Sequence, residues 1–136
     1  MKKNNLWNQK VTGNFFPLPN ALFQLELSPG EIAVYAYLMC REDRKSFQCY
    51  PSYKTIGEAV HMSANTVRKY VQRLEEKRLI YTEATSVMTT EGKKRNGSLL
   101  YTIRPIQDAV DYLHEKERQR ADQNLAKMKL DMQRAS

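Results

Sequence analysis

The chain has no long hydrophobic run. Nothing in its 136 residues approaches the roughly 18–20 consecutive apolar residues of a membrane-spanning helix. Its start, Met1-Lys2-Lys3-Asn4-Asn5-Leu6-Trp7, has basic residues with no apolar stretch behind them, so it does not read as a secretory leader. Both absences predict a cytoplasmic protein that does not enter a membrane. Cysteine is scarce: Cys40 and Cys49 are the only two, and in a reducing compartment they read as unpaired thiols. A metal site needs about four ligands. Neither His61 nor His114 stands at ligand spacing to the cysteines, so no metal is expected. The sequence also lacks a Gly-rich phosphate loop, a paired-His motif, and a Ser/His/Asp or Cys/His set. These gaps predict a protein that is not an enzyme, uses no cofactor and shows no evident small-molecule ligand.

What is present is positive charge. Lys and Arg number 22 against 15 Asp and Glu, a formal net charge of +7, while hydrophobic residues reach 41% and charged residues 27%. Those proportions are ordinary for a soluble globular domain. The charge favours polyanionic partners, of which nucleic acid is the commonest for a soluble protein.

Residues 1–27 form a polar stretch and then Phe15-Phe16-Pro17-Leu18-Pro19, where two close prolines forbid a helix. They predict an extended arm that packs its aromatics on the core, with a short helical turn around Asn20–Leu25. Ser28-Pro29-Gly30-Glu31 is a helix start, with Ser as cap, Pro at the first helical position and Glu three residues after the cap. The helix should run to about Glu42, since Ile32, Tyr35, Ala36, Leu38 and Met39 recur at helical spacing. A short strand is expected within Phe47–Pro51, a second helix from Ser52 to Val60, and a third from Ser63 to about Lys77. The β-formers of 79–85 and 99–103 flank the polar stretch 89–98 and predict a hairpin. From Ile106 onward there is no Gly and no Pro, so the rest reads as one long charged helix.

The second and third helices have the pattern of a pair that crosses tightly. Ile56, Val60, Met62, Val67 and Val71 fall where they would share a core, and Gly57 is small where close approach requires it. At about 100° per residue, Val67, Tyr70, Val71 and Leu74 line one side of the third helix. Asn65, Lys69 and Gln72 project from the other, flanked by Thr66, Arg68 and Arg73, with no acidic residue before Glu75. Such groups suit base edges and phosphates: Arg or Lys for guanine, Asn or Gln for adenine. Asn65, Thr66, Lys69 and Gln72 are the expected base readers. Lys54, Ser63, Arg68, Arg73, Lys93, Lys94 and Arg95 are the expected phosphate contacts, the last three at the hairpin tip.

Three segments carry a recognisable pattern: Tyr50-Pro51-Ser52-Tyr53-Lys54-Thr55-Ile56-Gly57, Met62-Ser63-Ala64-Asn65-Thr66-Val67 and Leu74-Glu75-Glu76-Lys77-Arg78-Leu79-Ile80. They resemble the winged helix-turn-helix domains of bacterial regulators and of plasmid or mobile-element replication initiators. Phe16-Pro17-Leu18-Pro19-Asn20 and the stretch from Leu27 to Tyr35 resemble the segment that often precedes such domains in Gram-positive initiators. His61 stands where that pattern commonly has Gly in the turn, and Arg78 where it has Gly before the wing. The metal-binding His cluster of a rolling-circle initiator is missing.

The expected architecture is mainly α with a small β-hairpin: an arm (1–27), a winged helix-turn-helix domain (28–105) built from three helices and a wing, and a long C-terminal helix (106–136). The resemblance implies sequence-specific binding of double-stranded DNA, as a transcriptional regulator or an accessory protein of the replication-initiation type. The alternative is a winged-helix module that binds protein. Ile106, Val110 and Leu113, then Ala121, Leu125, Met128 and Met132, form two apolar stripes of coiled-coil type on the last helix. They predict a homodimer through that helix, or, for the first stripe, packing on Ile32, Tyr35 and Leu38.

Overall fold

Ser28 starts the first long helix as its residue types dictate. Its hydroxyl accepts from the Glu31 backbone N–H at 3.2 Å, and the Glu31 carboxylate accepts from the Ser28 N–H at 3.0 Å, closing a capping box. With Pro29 in the first turn, α1 runs Pro29–Arg41. The computed structural model describes residues 14–135, so the arm before Asn14 lies outside the described residues. After α1 come β1 (Gln48–Cys49), α2 (Tyr53–Val60), α3 (Ala64–Glu76), β2 (Ile80–Glu83), β3 (Ser86–Met88), β4 (Lys94–Asn96), β5 (Leu100–Ile103) and α4 (Ile106–Ala135). No helix among the described residues is long and apolar enough to cross a membrane.

The three helices α1–α3 enclose Val34, Leu38, Ile56, Val67, Val71 and Leu74, all nearly or fully buried. Strands β1, β5 and β2 close one side as an antiparallel sheet in that order, burying Ile80 and Tyr101. The arm is anchored differently from the sequence expectation. Phe15 is 74% exposed, whereas Leu22 and Leu25 enter the core. The prolines keep 15–19 extended, and the 3-10 turn Asn20–Gln24 then aims aliphatic side chains inward.

The turn between α2 and α3 keeps its left-handed geometry without glycine: His61 has φ 58° and ψ 50°, and the Met62 N–H donates to Gly57 O at 2.9 Å. Non-glycine residues bear a cost there, and β-branched ones bear most. His61→Gly should therefore raise the unfolding free energy by about 0.5 kcal/mol, net of the added entropy of the unfolded chain, and His61→Val lower it by about 1–2 kcal/mol. Urea unfolding of both variants checks the pair, and a gain with Val would refute the strain. Arg78 also takes positive φ, 64°, and its guanidinium lies 4.6 Å from the centre of the Tyr112 ring. The corner before β2 thus turns without glycine as well, and β2 starts at Ile80.

The wing is longer and more regular than a hairpin with a ten-residue loop. β2 pairs with β5 from Ile80↔Ile103 to Glu83↔Leu100, and β3 pairs with β4 from Ser86↔Asn96 to Met88↔Lys94. Between the two ladders Ala84 and Thr85 face three residues, Gly97, Ser98 and Leu99, an extra residue of the kind that bends a ribbon. Part of the stretch expected as loop is therefore strand. The tip shrinks to Thr89–Lys93, closed by Thr89 N–H to Lys93 O at 2.8 Å around Gly92, φ 79°.

Helix α4 divides in two. Ala109 is buried and Ile106, Val110 and Leu113 are half-buried against the core. Every described position from His114 onward is exposed.

Candidate nucleic-acid interface

Helix α3 is positioned from both ends. At its start the Ser63 hydroxyl accepts from the Thr66 N–H at 3.2 Å and donates to Thr66 Oγ1 at 2.9 Å. At its end the Glu75 carboxylate accepts from both the N–H and the hydroxyl of Thr82, at 3.1 and 2.6 Å, tying α3 to the first wing strand. Lys77 lies 2.9 Å from the buried Glu31 carboxylate and also donates to Glu26 O, tying α3 to α1 and the arm. Neither the Glu75–Thr82 nor the Lys77–Glu31 tie had a sequence signal, because each joins residues that no helical or strand period brings together.

Asn65, Lys69 and Gln72 are exposed and follow one another at four- and three-residue intervals, so they share one outward line on α3. Arg68 is exposed beside them. Thr66 is half-buried and its hydroxyl is engaged in the cap, which leaves it less free than its three neighbours. Arg73 is exposed, with its guanidinium 5.5 Å from the centre of the Tyr70 ring. Lys54 is exposed in the first turn of α2, where the helix dipole adds to its positive charge.

The structure separates the three basic residues expected together at the tip. Lys93 closes the turn, but Lys94 pairs with Met88 and Arg95 with Val87 within the distal ladder. Cross-strand partners share a face and successive residues alternate. Lys94 and Arg95 therefore point to opposite faces of the wing. Lysine-rich polar sequence disguised the strand, since Lys and Asn are depleted in sheets.

No group of three or more His, Cys, Asp and Glu that could hold a metal occurs among the described residues. Burial, reinforced by the charge of Glu42, pushes the Cys49 thiol up to about 11, and its Sγ donates to Leu38 O. It is a packed, protonated thiol rather than a nucleophile.

Three helices, the left-handed turn between α2 and α3, and the paired strands behind α3 define a winged helix-turn-helix protein. Residues 25–80 match the family model of a helix-turn-helix domain. A solved structure described as a possible transcriptional regulator from Methanosarcina mazei Go1 shares the fold, with 15% identity over 77% of this chain and 79% of that one and a TM-score of 0.53. MepR of Staphylococcus aureus in a DNA complex superposes more loosely, with 18% identity over 82% of this chain and 85% of that one and a TM-score of 0.43. No curated protein matches the chain.

Proposed function

We propose that this protein binds double-stranded DNA sequence-specifically as a regulator of transcription, with α3 as its recognition helix. The observation that carries the reading is the exposed line Asn65, Lys69, Gln72 on a capped helix with no acid before Glu75. A helix is about 10–12 Å across with its side chains, and the major groove is about 12 Å wide. In this reading Arg68, Lys54 and the basic residues of the wing hold the phosphates that flank the helix. Two copies of the chain act together in this reading, paired through the exposed stripe of α4. Leu125, Met128 and Met132 are 52, 61 and 71% exposed, and their own domain offers nothing to cover them.

Binding needs neither metal nor nucleotide. With about six phosphates contacted, log affinity should fall against log salt with a slope near −5. Fluorescence anisotropy with a duplex pool, then with a selected site, measures it between low and physiological salt. A flat salt response, or no binding to any duplex at low salt, would refute the reading and favour a protein-binding wing.

A further inference from the structure

We propose that the α4 helices of two copies pair antiparallel, in one register, so that the two DNA-binding domains sit at opposite ends of a shared rod. This rests on the dimer proposed above and adds the geometry that the dimer must have. The stripe Ala121, Leu125, Met128, Met132 and Ala135 has spacings of four, three, four and three, the positions that form a two-helix seam. All five are exposed, while Leu130 lies outside the stripe.

Side-chain size and charge both choose the orientation. In an antiparallel pair centred between Ala126 and Lys127, Ala121 meets the partner's Met132 and Leu125 meets the partner's Met128. Each of these layers then contains one methionine, so none is built from two alanines or from two methionines. A parallel pair would stack alanine on alanine at 121 and 135 and methionine on methionine at 128 and 132, leaving holes at both ends of a crowded centre. The flanking positions agree. Antiparallel pairing brings Asp122 opposite the partner's Lys129, twice by symmetry. Parallel pairing would bring Glu117 opposite the partner's Asp122, twice. Among the described residues neither Asp122 nor Lys129 has an ion-pair partner in its own chain, so both are available.

The consequence reaches the DNA. From Ile106 to the centre of the pair, α4 spans about 31 Å at 1.5 Å per residue. The two Ile106 residues therefore stand about 62 Å apart along the rod, with a domain beyond each, against about 68–72 Å for two turns of B-DNA. Half-sites two turns apart fit this geometry, and adjacent half-sites fit the parallel one.

The test is disulfide trapping in full-length protein, with Cys40, the exposed thiol, changed to Ser. Ala121→Cys and Met132→Cys proteins are oxidised separately and as a mixture. A disulfide-linked dimer in the mixture, with little in either protein alone, is the expected result. Linked dimers in each protein alone mean parallel helices and overturn the proposal while leaving the dimer intact. Sedimentation at micromolar concentration supplies the second arm. Lys129→Asp should weaken self-association about tenfold, as two opposite-charge pairs become like-charge pairs, and Asp122→Lys added to it should restore association. A dimer unaffected by Leu125→Glu places the contact elsewhere and overturns the seam. A monomeric unmodified chain, with and without DNA, overturns the dimer itself.

Discussion

Gly57→Ala should lower the unfolding free energy by about 2–3 kcal/mol, a large effect for a single added methyl group. A Cβ at Gly57 would lie 2.3 Å from the carbonyl oxygen of Met62, with Val67 Cγ2 at 3.6 Å. The oxygen belongs to the backbone of the turn, and that turn is fixed by the Met62 N–H bond back to Gly57 O. It cannot rotate away as a side chain would. Accommodation must move the α2–α3 crossing, and because the clash is with fixed backbone the overpacking cost falls at the upper end of its range, about 3 kcal/mol or more. Alanine's better helix propensity returns at most about 1 kcal/mol of that. Gly30 supplies the contrast. A Cβ there would meet the Tyr70 ring at 2.2–2.6 Å, yet a half-buried ring can swing outward, so Gly30→Ala should cost about 1 kcal/mol. Urea unfolding midpoints of the two variants decide it. Gly57→Ala at wild-type stability would mean that the turn is soft. Because α3 hangs from that crossing, the Gly57 variant should also lose DNA affinity at temperatures where it remains folded, and the Gly30 variant much less.

The parts of the fold legible in the sequence are those written by local chemistry. Ser28, Ser52 and Ser63 each accept the backbone N–H three residues on, and each helix begins one residue after its cap. Helical spacing placed Val67, Val71 and Leu74 inward and Asn65, Lys69 and Gln72 outward, as the structure has them. The first stripe of α4 packs on its own domain, and Ala109, which is not part of that stripe, is the most buried residue of the helix. An alanine carries little signal of burial in a sequence, since it is common on both faces of helices.

Long-range and weakly patterned features were not legible. The distal wing ladder is built from Lys94, Arg95 and Asn96, of which Lys and Asn are poor strand formers, and the pairing with Ser86–Met88 orders them. Phe15 looked like an anchor because aromatics are usually buried, but the chain spends its inward direction on Leu22 and Leu25. The Lys77–Glu31 ion pair joins residues 46 apart. The local sequence assigns its acid to the capping box alone, whereas the same carboxylate serves both.

Single alanines on α3 should divide the interface into groups that specify and groups that hold. Asn65→Ala, Lys69→Ala and Gln72→Ala should each lose about 1–3 kcal/mol on the preferred site and little on random duplex. Stability should stay within about 0.5 kcal/mol of wild type, since all three side chains are exposed and none carries a cap or core contact. Thr66→Ala behaves differently. Its hydroxyl bonds Ser63, so part of its effect should appear as lost stability rather than lost discrimination. Wing substitutions act on another axis. Lys94 and Arg95 lie on opposite faces of the β3–β4 ribbon, and a groove-bound wing turns one face toward a given phosphate strand. One of Lys94→Ala and Arg95→Ala should therefore weaken specific and random DNA alike and reduce the salt slope by about one, and the other should do little. Equal slope losses from both would mean that the wing inserts edge-on between two phosphate strands. Discrimination lost at the wing but kept on α3 would exchange the roles assigned to the two elements. Titration of each variant against the selected site and a scrambled duplex, at two salt concentrations, separates these outcomes.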